Sequence, residues 1–282
     1  MALLKNLNLP RENSWYNPGN SEIVQFGCVI VPDTLSKKTL YFLFALALLP
    51  ACAHLFFIFK YGVNFPFADQ WDTPGWLFIH IAWDKLGWKD FIVQHNESRM
   101  LFSRLIFLGL AYLTKWNILY ELLLTFLLTS IIAFSAYILS QLTLKENNLR
   151  RTLTLAIFSN LLIFSLTQYE NFLWGFQVSI LLSITCIVAC LPITQLAIDF
   201  RWKFMASLML CTVSTFTFAN GLLSWFVVFP ALFIPPTWRR TEVISRIPWI
   251  VAWGMGFGLN LLTYLSCLSM SSQPITLNLQ RR

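Results

Sequence analysis

Residues 65–104 read FPFADQWDTPGWLFIHIAWDKLGWKDFIVQHNESRMLFSR, and this stretch decides how the rest of the chain is read. It holds five of the thirteen acidic residues, Asp69, Asp72, Asp84, Asp90 and Glu97, and four of the twelve tryptophans, Trp71, Trp76, Trp83 and Trp88. Nearly everything around it is apolar. Thr73-Pro74 has the form of a helix start, because proline fits the first helical position and threonine can cap it. Trp76, Ile79, Trp83 and Leu86 follow at spacings of three, four and three, so they share one helical face, with Asp84, Lys85 and Lys89 elsewhere around it. Such a helix lies flat in a membrane interface with its indoles at headgroup level. The stretch therefore reads as a water-facing loop lying against a bilayer and carrying acid groups.

The composition agrees. The chain is 57% hydrophobic and only 12% charged, with 26 Phe, more apolar than an ordinary soluble domain. Several runs are long enough to cross a bilayer. The fold class expected is all-α: a polytopic transmembrane helix bundle of about seven spans, with interfacial helices in the first outer loop. The formal charge of +7 comes from Lys and Arg between the spans, which in a membrane protein reports orientation. No basic patch interleaved with aromatics points to nucleic acid. The six cysteines, Cys28, Cys52, Cys186, Cys190, Cys211 and Cys267, fall mostly inside apolar runs and read as small apolar side chains.

The first span is Leu40 to Phe59, preceded by Lys37 and Lys38, which favours a cytoplasmic N-terminus and a multi-pass protein of the plasma (inner) membrane. His54 inside it is expected to be neutral and hydrogen-bonded. Met100 to Thr114 is apolar but rises only roughly 22 Å against a hydrocarbon core of roughly 30 Å. The run 117–140 is long enough to cross. Basic loops at Lys145, Arg150 and Arg151, at Arg201 and Lys203, and at Arg239, Arg240 and Arg246 belong on the cytoplasmic side, and Glu170 on the other. Residues 101–140 then cross once, which makes 100–114 a membrane-lying helix. The further spans are about 152–167, 176–198, 203–219, 222–235 and 248–268. The organisation is a cytoplasmic leader at 1–39, a transmembrane domain at 40–268 and a short tail at 269–282. Glu121 lies near the end of its run and draws no role.

In this arrangement three polar motifs reach one face: Asp69-Gln70-Trp71-Asp72, then His95-Asn96-Glu97-Ser98-Arg99, then Gln168 to Gln177, QYENFLWGFQ. Carboxylates at a membrane boundary suit a general base or a divalent-cation site. Each has a plain alternative. Asp72 can help begin the helix at Pro74, Glu97 can pair with Arg99 or Arg104, and Glu170 with Asn171 can form a solvated turn. Asp84 and Asp90 read as solvated helix-face charges.

One span, an outer loop with an early aspartate and two membrane-lying helices, then further spans, resembles the GT-C superfamily of integral-membrane glycosyltransferases. The motifs FADQWD (67–72), HNESR (95–99) and YENFLWGFQ (169–177) also look like recurring motifs of bacterial membrane proteins grouped with it. The resemblance covers about residues 40–268. It implies transfer of a sugar from a polyprenyl-phosphate donor to an acceptor on the non-cytoplasmic side. It implies Asp69 or Asp72 as base, or as holder of a divalent cation found in some members. Arg99 becomes a candidate for the donor phosphate, and His95, Glu97, Glu170, Asn171, Trp174 and Gln177 candidates for binding substrate. Many superfamily members continue well beyond seven spans. A chain ending at Arg282 is therefore expected to be shortened, inactive or dependent on a protein partner. The alternative function is a non-catalytic multi-pass protein, a lipid or solute transporter or an assembly subunit.

Overall fold

The computed structural model describes residues 36–144, 149–234 and 240–266. Most of the leader, Cys28, Lys145, Arg239, Cys267 and the tail at 269–282 lie outside the described residues. Almost all the described structure is helical. The exception is a two-residue ladder, β1 (Gln94–His95) against β2 (Ser98–Arg99). Four stretches are helices long and apolar enough to cross a membrane: Lys37–Tyr61, Ile118–Leu144, Arg150–Leu173 and Gly175–Gln195.

Helix α1 (Lys37–Tyr61) starts where Ser36 accepts the Thr39 amide on its hydroxyl at 3.2 Å, satisfying one of the orphan donors of a first turn. The leader therefore ends before Lys37, and Lys37–Thr39 belong to the first helix. Helices α5 (Ile118–Leu144), α6 (Leu149–Ile163) and α8 (Val178–Gln195) are the next long helices of the bundle. Helix α6 packs against α1 and α5, and α5 against α8. Helices α9 (Phe200–Thr215), α10 (Ser224–Phe233) and α11 (Arg240–Ser266) then build a second core. It contains Cys190, Phe204, Cys211, Trp225, Val228 and Trp253, so two of the cysteines are indeed interior packing groups.

The stretch that opened the sequence reading is more broken than its periodicity implies. Helix α2 spans only Gly75–Ala82, with Pro74 outside it as N-cap and no side chain capping it. Thr73 instead accepts from the Arg104 guanidinium at 3.5 Å. Helix α2 stops because Asp84 adopts φ 54° and the Lys85 amide bonds back to the His80 carbonyl at 2.8 Å. This is the left-handed termination that closes many helices. A separate one-turn helix, α3 (Trp88–Ile92), follows. Asp90 is not a free surface charge: its carboxylate accepts the Gly87 amide at 2.8 Å and meets His80 Nδ1 at 3.2 Å. The buried side of α2 is Gly75 and Leu77, while Ile79 and Trp83 stay exposed.

Helix α4 (Leu101–Thr114) is about 21 Å long, too short to cross alone. Its Phe107 packs against Leu128, Val178 and Leu181 of α5 and α8. Lys115 and Trp116 both have positive φ, 57° and 56°, and turn the chain into α5. Asn64, just beyond α1, accepts the Ile118 amide at 2.9 Å and so fixes the start of α5 beside the end of α1.

His54 is fully buried, but the expected hydrogen bond is not there. Neither ring nitrogen has a partner among the described residues. The imidazole stacks on Phe172 of α7 (Tyr169–Leu173), centroids 3.6 Å apart, with Phe126 and Phe164 around it.

Candidate functional site

One end of the bundle gathers residues from far apart in the chain. After α1, residues 68–70 form a single 3-10 turn. Gln70 folds back so that its carbonyl oxygen accepts the Phe67 amide at 3.1 Å, and its amide nitrogen donates to Glu121 Oε2 at 2.6 Å. Both Gln70 and Glu121 are 1% exposed. Glu121 stands in the first turn of α5, so this pair ties the Asp69 turn to the bundle. Gly175 lies directly against it. A Cβ there would press on Glu121 Oε2 and stand 2.6 Å from Gln70 Nε2 and 3.0 Å from Glu121 Cβ. Only glycine lets this backbone approach so closely. The neighbouring Trp174 donates its indole N–H to the Phe67 carbonyl at 3.1 Å and stacks on Phe176.

The second motif is a tight hairpin. Gln94 pairs with Arg99 and His95 with Ser98, and Asn96 takes φ 50° at the tip, a conformation asparagine tolerates better than most residues. The hairpin presents His95 to Asp69, Nε2 to Oδ2 3.9 Å, and to the Phe176 ring at 5.4 Å. Asp69 is 39% exposed on its side chain and His95 12%, so the carboxylate stays open to solvent while the imidazole sits behind it. Burial lowers the His95 pKa below its ordinary value. Asp69 opposes that shift, with smaller contributions from Arg104, Asp72 and Glu97. His95 is therefore neutral near pH 7, able to accept or relay a proton.

Behind the hairpin stand two buried guanidinium groups, Arg99 at 1% and Arg104 at 2% exposure. Arg99 donates to the Tyr264 carbonyl and to Gln94 Oε1, each at 3.4 Å, and lies over the Tyr264 ring. Arg104 donates from one nitrogen to the Phe91 and Val93 carbonyls at 3.1 and 2.5 Å. Burial, reinforced by Arg99, pulls the Arg104 pKa down to about 10, which still leaves it charged at neutral pH. Neither pairs with the Glu97 carboxylate. Glu97 is exposed, and its backbone carbonyl accepts the Tyr264 hydroxyl. Arg99 NH1 and Arg104 Nε have no partner among the described residues.

Of the residues singled out in the sequence, Asp69, His95 and Trp174 are brought together in one cluster. Asp72 is exposed and close enough to act on His95 electrostatically. Arg99 lies in the second layer. Gln177 is buried, with its carbonyl oxygen unpartnered among the described residues. Glu170 is exposed beside Tyr169, and Asn171 donates to Gln168 at 3.2 Å, so these two serve their own turn. Asp69 and Asp72 gather no group of three His, Cys, Asp or Glu side chains fit to hold a metal among the described residues. Sequence reasoning missed Glu121, Gln70 and Gly175. The signal for Glu121 was present: an ionisable residue inside an apolar span is costly and marks function or a specific partner.

Compared with protein-family models, with curated proteins and with solved structures, the chain matches none. The described residues are largely helical, with four helices of membrane-crossing length and composition among them and a polar cluster where the ends of these helices meet.

Proposed function

We propose that this is a multi-pass protein of the plasma membrane and a glycosyltransferase of the GT-C kind, taking sugar from a polyprenyl-phosphate donor. Its N-terminus is cytoplasmic, and α9, α10 and α11 supply the last three of seven crossings. Helices α9 and α10, 16 and 10 residues long, form a short tilted pair. Helices α2 and α3 lie in the non-cytoplasmic interface with Trp83 and Trp88 facing lipid.

The observation that carries the reading is the meeting of three polar motifs, from residues 67–72, 95–99 and 174–177, around a solvent-open carboxylate. Asp69 is the base that takes the acceptor hydroxyl proton. His95, neutral and 3.9 Å away, orients it. Asp72 is the reserve carboxylate. Arg99, behind the hairpin and with NH1 unpartnered among the described residues, is the cation assigned to the departing phosphate, because guanidinium matches its oxygens bidentately. Glu97, Glu170, Asn171, Trp174 and Gln177 complete the substrate surface.

General-base catalysis is worth roughly 10²–10⁴-fold. Asp69→Asn should cut transfer from a polyprenyl-phosphate sugar in reconstituted membranes by about that factor, with folding and donor binding retained. Wild-type transfer by Asp69→Asn would reject the assignment. Absence of transfer by the wild type from every lipid-linked donor, with or without a partner, would favour the non-catalytic alternative.

A further inference from the structure

The opposite end of the bundle holds a second feature, which the proposed reaction does not use. Between α1, α5 and α6 runs a crevice of about 680 Å³, lined by Leu40, Phe44 and Ala47 of α1, Phe134 and Tyr137 of α5, and Ala156 of α6. This volume falls within the roughly 300–1,000 Å³ typical of small-molecule sites. Its lining is overwhelmingly apolar, and three of the polar side chains along it bond to backbone carbonyls. Asn160 donates to the Ala47 carbonyl at 2.8 Å, Ser130 to Phe126 at 2.8 Å, and Ser140 to Tyr137 at 2.7 Å. A water-soluble ligand would find few groups to bond.

The crevice follows α1 from Leu40 to Ala51, about 16 Å of helix, close to the depth of one leaflet's hydrocarbon, roughly half of 30 Å. It therefore has the shape of a slot for one hydrocarbon chain entering from one face. The rim at that face is cationic. Lys37 and Lys38 at the start of α1, and Arg150 and Arg151 at the start of α6, are all exposed. The Gln141–Thr152 hydrogen bond, 2.7 Å, holds α5 and α6 together there. Basic groups at the mouth of a cleft between membrane helices recognise anionic headgroups.

We propose that this crevice is a binding site for an anionic glycerophospholipid of the leaflet at the Lys37 end. One acyl chain lies between α1, α5 and α6, and the phosphate lies among Lys37, Lys38, Arg150 and Arg151. The headgroup end of the site is separated from the Asp69 end of the bundle by the length of α1, 25 residues or about 37 Å, and its inner end at Ala51 by about 15 Å of helix. The lipid is thus a bound structural or regulatory component and not the sugar donor, and the proposal stands independently of the glycosyltransferase reading.

The test is native mass spectrometry of the detergent-purified full chain, titrated with dioleoyl phosphatidylglycerol or with dioleoyl phosphatidylcholine, which has the same chains. Wild type should retain the anionic lipid roughly tenfold better. Replacing Lys37, Lys38, Arg150 and Arg151 together by Gln should erase that preference. Ala133→Phe combined with Ala156→Phe should remove the tightest adduct of either lipid, with helical circular dichroism unchanged. Should the filled variant misfold, the wild type suffices. Phosphatidylglycerol with a photoactivatable acyl chain should crosslink to peptides of α1, α5 and α6. Equal retention of the two lipids, an unaltered preference in the charge variant, or crosslinks confined to other helices would overturn the proposal. So would displacement of the bound lipid by an equimolar polyprenyl phosphate, which would assign the slot to the donor.

Discussion

Gly175→Ala is a small change with a large expected cost. The new methyl would sit against Glu121 Oε2, 2.6 Å from Gln70 Nε2 and 3.0 Å from Glu121 Cβ. A flexible side chain would normally swing aside. Here the two polar atoms are bonded to each other at 2.6 Å and both residues are 1% exposed, so neither moves without breaking a buried hydrogen bond. Overpacking of a filled site costs about 1–3 kcal/mol. Leaving buried polar groups unsatisfied costs about 1–3 kcal/mol more. The sum, about 2–6 kcal/mol, can be read from reversible unfolding in mixed detergent micelles followed by circular dichroism. Glu121→Ala should also destabilise, because Gln70 loses its acceptor. In the double variant the vacated carboxylate space accepts the methyl, so the two costs should fall short of additive by more than about 1 kcal/mol, as expected for residues in contact. A cost below about 0.5 kcal/mol for Gly175→Ala, the range of an ordinary surface change, would refute the reasoning. So would strict additivity.

Other consequences are equally open to measurement. Burial lowers the His95 pKa, so the unfolded chain binds a proton at this residue more readily than the folded one. Stability is then fully present above the ordinary value near 6.5 and falls as pH drops toward the folded value. His95→Gln should flatten that part of the profile, and an unchanged slope would contradict it. Gly221→Ala should fail to fold, because the added carbon would strike the Ser214 carbonyl and the Thr215 amide nitrogen, which are backbone and cannot rotate away. Recovery of well-folded protein would show that the 219–223 turn is looser than drawn. In a cysteine-free background, Glu170→Cys should react with an impermeant thiol reagent applied from outside and Arg150→Cys should not. The reverse pattern would invert the proposed orientation.

The long helices were legible because run length and apolar composition are local properties. Ile118–Leu144 and Lys37–Tyr61 differ little from their expected bounds. The α2 region was read too long. Trp76, Ile79, Trp83 and Leu86 keep helical spacing, but spacing records where a helix would put side chains and not whether the backbone continues. Asp84 at φ 54° ends it. The convergence of Asp69 with His95 was anticipated through topology. The Gln70–Glu121 bond was not, because a pair separated by 51 positions leaves no trace in either residue's surroundings. Glu121 was set aside for standing near the end of its run. The helix end is where a polar loop can reach a carboxylate at least cost, so that position was the informative one. Glu170 and Asn171 bond within their own turn, to Tyr169 and Gln168, a local pairing that the motif's residues do not reveal.

The hydrogen bonds that close the site also fix an order in time. Phe67 is joined to Trp174, 107 positions later, and Arg99 to Tyr264, 165 positions later. A ribosome adding roughly 5–20 residues per second needs about 5–20 s to deliver the first partner and about 8–33 s to deliver the second. During translation the Asp69 turn is therefore exposed without its Trp174 clasp long after α1 has been made. Arg99 is seated last of all, when α11 arrives. Arg104 finds Thr73, Phe91 and Val93 early, but Arg99 waits for the final helix of the described chain, so a ribosome stalled before Tyr264 would leave a nearly complete bundle whose Arg99 is not yet held in place.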